Sequence, residues 1–201
     1  MNRPDGKLFV ISSPSGGGKT TVIREVLRHR PEFRYSVSAT TRKPRRKEQD
    51  GMDYVFMKPE TFDDAVRNDA FLEWARVHGC CYGTPRRPVL DWLEEGRTIL
   101  LDLDVQGAAA VKKKITESVL VFLLPKSLSV LRERLEKRGT DSAESIASRI
   151  RRAEDEMRQS DNYDFIVFNR RLEEAVAHLL AVIRHFNRMS TVEIQTKEQP
   201  S

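Results

Sequence analysis

Cysteine is scarce: the 201 residues hold two, Cys80 and Cys81, side by side. Adjacent cysteines rarely close a disulfide and cannot by themselves supply a metal site, so neither a disulfide framework nor a zinc module underlies the fold. Long hydrophobic runs are also lacking. The longest, such as VLVFLL at Val119–Leu124, are strand-sized, and the N-terminal MNRPDGK has no apolar signal region; the expectation is a cytoplasmic protein without a membrane span. Internal repeats and low-complexity linkers are missing. So is an aromatic stripe between the basic residues, which removes the usual stacking platform for single-stranded nucleic acid despite a net charge of +5 and a pI near 9.3.

What the chain does have is a 39% hydrophobic composition over 201 residues, enough for one domain with an inserted subdomain. Basic residues gather in TRKPRRK (Thr41–Lys47), RERLEKR (Arg132–Arg138) and RIRR (Arg149–Arg152). Any one such cluster reads as a solvated face. Three of them in a chain that also carries the glycine-rich stretch SGGGKTT (Ser15–Thr21) point to a small, highly charged ligand. Strand-like and helix-like segments alternate. KLFVIS precedes KTTVIREVLRH, whose Val22, Ile23, Val26 and Leu27 share a face; TILLDLD, SVLVFLL and DFIVF are each followed by a helical pattern. That rhythm predicts a doubly wound α/β core with a parallel sheet.

Two blocks break the rhythm. Residues 35–84 hold shorter, half-exposed strands around a loop rich in arginine, proline and glycine, and read as an inserted mixed subdomain. Residues 139–161 are highly charged, with few large apolar side chains, and suit a mobile lid. The core then comprises 7–34, 85–138 and 162–189, and 190–201 reads as an unpacked tail.

The stretch SSPSGGGKTT (Ser12–Thr21) lies between the first strand and the first helix. Glycines let successive backbone N–H groups turn toward phosphate oxygens, the helix N-terminus adds positive charge, a lysine reaches the terminal phosphates and a hydroxyl holds magnesium. Gly16, Gly17, Gly18, Lys19 and Thr20 supply these parts. Ser13 replaces the glycine that opens the strict pattern, which is tolerable if its φ stays negative.

With PSGGGKTT, SVSATTRKPR, DGMDYVF, FLEWARVHG, YGTP, LLDLDVQGA, RLEKRGTDSAESIASRI and YDFIVFN in this order, the chain resembles the guanylate kinases over about Lys7–His185. The resemblance implies an α/β phosphate-loop nucleoside monophosphate kinase, with a parallel-sheet core, an inserted mixed GMP-binding subdomain and a helical lid. It implies transfer of the ATP γ-phosphate to GMP and dGMP, giving ADP and GDP in purine nucleotide metabolism and GMP recycling, with Mg²⁺ required. By the same resemblance Ser15, Gly16, Gly17, Gly18, Lys19, Thr20, Thr21, Arg134 and Asn169 meet ATP. Arg42 and Arg45 grip the GMP phosphate, joined by Tyr54 and Tyr82, and guanidinium forks suit a phosphate dianion. Glu73 and Asp104 meet the guanine donors, since an acceptor-only carboxylate matches N1–H and the exocyclic amine, while Ser38 and Thr84 face the remaining edge, notably O6. Thr20 and Asp102 hold magnesium, Asp102 through metal-bound water, and Asp104 doubles as the better helix cap. Lys19, Arg42, Arg138 and Arg149 form the catalytic charge cage.

Two departures stand out: Cys80 and Cys81 where the family commonly has asparagine and tyrosine, and Arg170 and Arg171 where acidic residues usually follow Asn169. Three other classes stay in view. A scaffold module would not need Gly18, Lys19 and Thr20. A sugar-phosphate kinase would not need Glu73, Asp104 and Ser38 together, and a nucleic-acid-binding ATPase would use the basic surplus differently. The sequence leaves a homo-oligomer open.

Overall fold

The computed structural model describes residues 6–77, 79–137 and 143–197. Five strands form one parallel sheet in the order β2-β7-β1-β8-β9: β1 (Lys7–Ser12), β2 (Arg34–Tyr35), β7 (Thr98–Asp102), β8 (Val119–Pro125) and β9 (Phe165–Asn169). The alternation of β1 splits its side chains between two cores. Phe9 and Ile11 join Leu100, Val121 and Val167 beneath α1 (Lys19–His29) and α7 (Leu172–Lys197). Leu8 and Val10 join Ile99 and Leu101 beneath α3 (Arg86–Glu94) and α4 (Val105–Lys114). Each fully buried Leu, Ile or Phe in these layers contributes roughly 2 kcal/mol.

A second, mixed sheet has the order β4-β3-β6-β5, from β3 (Ala39–Thr40), β4 (Val55–Phe56), β5 (Phe71–Val77) and β6 (Cys80–Pro85). Its small core of Ala39, Phe71 and Cys81 is closed by Phe62 of α2 (Pro59–Arg67), which stacks on Phe71 with ring centroids 4.5 Å apart. The run YSVSAT is divided between the two sheets: Tyr35 pairs with Leu100 in the parallel sheet, and Ala39 pairs with Gly83 in the mixed one. The crossing from one sheet to the other therefore follows Tyr35 instead of preceding it. The run itself carries no sign of such a transfer, because both halves have the same period.

Helices α5 (Leu128–Lys137) and α6 (Ala143–Arg158) pack through Leu131, Leu135, Ile146, Ile150 and Ala153. Three small or aliphatic residues at helical spacing give the charged α6 a narrow apolar stripe. Helix α7 continues to Lys197, so the segment after Ser190, read from sequence as an unpacked tail, begins as helix. Among the described residues no helix is long and apolar enough to cross a membrane.

Candidate active site

All five parallel strands end on one edge, and β1 lies between β7 and β8, so the loop after β1 sits where an open α/β sheet leaves a crevice. The loop turns through Gly16 and Gly18, at φ 82° and 88°, while a side chain at Gly17 would sit 2.8 Å from the Pro14 carbonyl. Among the described residues Asp69 is the only non-glycine with positive φ; Ser13 thus meets the condition for standing in the place of glycine. Gly18 is the N-cap of α1, and no side chain caps that helix. Its first N–H groups are left to whatever enters the loop. Helix α4 contrasts with it, since Asp104 Oδ1 accepts from Gly107 N at 2.8 Å.

Lys19 rises from the first turn of α1 to place Nζ 2.7 Å from Asp102 Oδ1 and 2.7 Å from the Leu103 carbonyl. Thr20 Oγ1 lies 3.4 Å from Asp102 Oδ2. The register explains the meeting: Asp102 ends β7 opposite Ile11 of β1, one residue before the loop. A hydroxyl and a carboxylate side by side form an oxygen donor set suited to a hard divalent cation.

A cavity of about 210 Å³ opens beside this cluster, lined by Lys19, Asp102, Ser38, Tyr54, Glu73, Tyr82 and Asp104. Glu73 projects into it from β5 and is 8% exposed. Burial pushes its carboxyl above the ordinary glutamate range and nearby Asp104 adds to the rise, while the Thr84 hydroxyl draws it back. Thr84 Oγ1 donates to Glu73 Oε1 at 2.6 Å; donating to a guanine O6, as the family resemblance implies, would require that bond to be given up. Gly107 leaves room for the carboxylate, because a Cβ there would stand 3.1 Å from Glu73 Oε2.

Arg42 is half-buried beside Tyr54, which lines the cavity. Its guanidinium lies over the rings of Tyr54 and Phe56, 5.2 and 5.8 Å from their centroids, and Tyr54 meets Tyr82 edge to face at 6.0 Å. Both its terminal nitrogens donate to Glu48, each at 2.9 Å, and the Arg45 N–H donates to the same carboxylate at 2.8 Å. Arg42, followed by the Arg45 N–H, holds the Glu48 carboxyl below the usual range. Burial holds the Tyr54 phenol up as a proton donor. Sequence reasoning passed over Glu48, a single acid at the end of a basic run; its spacing from Arg42 and Arg45 is the only signal. A larger cleft of about 760 Å³ adjoins, lined by Thr20, Arg45, Glu48, Tyr54 and Asp102.

The structure thus brings together Lys19, Thr20, Asp102, Asp104, Ser38, Glu73, Thr84, Tyr54, Tyr82, Arg42 and Arg45 around two adjoining clefts. Arg149 is half-buried on α6. Arg138 lies outside the described residues, as does the Arg134 side chain. Asn169, expected at the adenine, is buried, and its Nδ2 donates to the Gly17 carbonyl at 2.7 Å. The two departures are accommodated locally. Cys81 fills the mixed-sheet core, Arg170 stacks over Phe168 at 5.2 Å, and Arg171 approaches Glu174 at 3.8 Å.

Comparison with known proteins fits this arrangement. The family model for guanylate kinase matches residues 5–186. The guanylate kinase of Carboxydothermus hydrogenoformans is 47% identical over 178 residues, 89% of this chain and 87% of that protein. A guanylate kinase of Thermus thermophilus is 49% identical over 185 residues, 92% and 84% respectively. A crystal structure of guanylate kinase from Anaplasma phagocytophilum superposes with a TM-score of 0.76 at 30% identity, covering 92% of this chain and 87% of that one.

Proposed function

This chain belongs to the guanylate kinase family and is an ATP:GMP phosphotransferase, and from that premise we propose how its residues divide the work. The observation that carries the proposal is that one cavity is lined by Lys19 and Asp102 together with Glu73 and Asp104. A phosphate-handling lysine and a pair of carboxylates suited to guanine donors share one space.

The N–H groups of Ser15–Thr21 and the uncapped start of α1 cradle the ATP phosphates. Lys19 exchanges Asp102 for a phosphate oxygen. Thr20 and Asp102 would hold a magnesium ion, Asp102 by way of water, which would supply charge neutralisation for the transferring phosphoryl group. Glu73 accepts from the guanine N1–H and amine, assisted by Asp104, with Ser38 and Thr84 on the remaining edge. Adenine, with an acceptor at N1, would leave Glu73 unpaired. Arg42 and Arg45 hold the GMP phosphate, with the hydroxyls of Tyr54 and Tyr82 as donors. Glu48 occupies the fork of Arg42 and orients it.

Phosphoryl transfer between two anions demands in-line placement and charge neutralisation more than a base. Arg149, Arg134 and Arg138 complete that charge cage, in a three-part arrangement of core, GMP-binding subdomain and lid. The segment 139–161 acts as the lid, whose closure excludes competing water. The protein works in the cytoplasm on small-molecule substrates.

Product analysis after incubation with ATP, Mg²⁺ and GMP tests the scheme. ADP and GDP should appear in equal amounts, and Lys19→Ala should abolish both while keeping the parent's melting curve. A folded Lys19→Ala variant with near-parent turnover would refute the role given to the loop.

A further inference from the structure

We propose that Asn169 is a positioning residue that sets the orientation of the Gly17–Gly18 peptide in the phosphate cradle, a role that rests on reading this loop as the ATP site. Asn169 ends β9, the edge strand, with its backbone in register with Pro125 of β8. Its side chain is 7% exposed, and its Nδ2 reaches across 152 positions of sequence to the Gly17 carbonyl at 2.7 Å.

The loop needs such a restraint. Three consecutive glycines let a peptide plane rotate at little steric cost, so the loop's own sequence does not choose which way each N–H points. Gly17 is fixed from both sides. Its N–H donates to the Pro14 carbonyl at 2.8 Å, and its carbonyl accepts from Asn169. In a planar trans peptide the carbonyl oxygen and the following N–H point in opposite directions. Holding Gly17 O against β9 therefore turns the Gly18 N–H away from β9, at the residue that caps α1 and adjoins Lys19. A peptide turned the other way would present a carbonyl oxygen to a polyphosphate. Asparagine suits the task because it is a neutral donor: its amide can satisfy a buried carbonyl without bringing charge next to the ligand's own negative charge.

The test uses the full chain and compares Mg²⁺-ATP and GMP affinities by calorimetry, each variant referred to the parent at the same pH so that ligand titration cancels. Asn169→Asp places a carboxylate against the Gly17 carbonyl at pH 8.5, two acceptors facing each other. Once protonated the same group regains a donor, and burial raises the pH at which this happens. The expected result is ATP binding weakened by roughly ten- to a hundred-fold at pH 8.5, a recovery of several-fold at pH 5, and GMP binding matching the parent at both. Asn169→Ala, which cannot titrate, should lose about ten-fold in ATP affinity at both pH values and keep GMP affinity. If Asn169→Asp does not fold, Asn169→Ala decides. ATP affinity unchanged in the variants, loss without recovery at pH 5 in a folded Asn169→Asp, or equal losses for ATP and GMP would overturn the proposal. A parent that binds GMP but not ATP would instead overturn the reading of the loop, and the inference with it.

Discussion

Glu73 combines a structural cost with the recognition role proposed for it. Burial holds its carboxyl above the ordinary glutamate range, so the folded chain keeps a proton that the unfolded chain releases. The corresponding stability is present below the ordinary glutamate pKa and is lost as pH rises through the raised value. Glu73→Gln should therefore melt higher than the parent at pH 7 and no higher at pH 3.5, while GMP affinity falls by about a hundred-fold or more and ATP affinity holds. Equal losses for both nucleotides, or a lower melting temperature at pH 7, would contradict this account of the residue. Glu48 makes a different contribution, through Arg42. Glu48→Gln keeps the shape but removes the charge that orients the guanidinium, and should raise the KM for GMP roughly ten-fold with the KM for ATP unchanged, as steady-state kinetics would show. That Glu73, Asp104 and Lys19 of the phosphate loop share one cavity was legible in the sequence, because residue type at a recognisable position pointed to each of them. Glu48 and the inward turn of Asn169 were not: each depends on a partner that only the fold brings into reach, Arg42 in one case and Gly17 in the other.

At the level of elements, two helix starts show opposite solutions. Helix α1 leaves its N–H groups uncapped for a ligand, whereas α4 caps itself with Asp104, so Asp104 serves both α4 and the cavity. Asp104→Ala should lower stability by about 1 kcal/mol and weaken GMP binding in the same variant; denaturant unfolding and calorimetry would read the two effects separately. Helix α6 is held to α5 by a stripe that includes Ile146 and Ile150. Ile150→Ala removes apolar contact at that seam, and should lower kcat more than GMP affinity; a fall in GMP affinity with kcat intact would contradict the separation of lid from base pocket. The alternation of strands and helices in the core was readable because period and length agreed there. The two-residue strands β2 and β3 share one run in the sequence, since two residues cannot reveal which sheet pairs with them, and α2 and α3 went unread among segments dominated by charge and proline.

The whole molecule places two recognition problems on either side of one crevice. The parallel sheet delivers the phosphate loop, Asp102 and Asn169 to a common edge. The mixed sheet delivers Glu73, Thr84 and the Arg42 cluster from the other side. An ion pair also links the two parts, Arg24 of α1 to Asp53 at 2.6 Å; with Arg24 largely exposed it contributes little to stability, and the mixed sheet is joined to the core chiefly through Leu72 of β5, buried with Leu8, Val10 and Leu101. On the proposed reading, this crevice transfers phosphate from ATP to a guanine nucleotide because Glu73 reads the base. The most direct test is kcat/KM for GMP and for AMP, with ATP and Mg²⁺ saturating, in the parent and in Glu73→Gln. The account predicts a preference for GMP of about 10⁴-fold or more in the parent that collapses in the variant; comparable values for the two nucleotides in the parent, or a preference that survives the substitution, would contradict it.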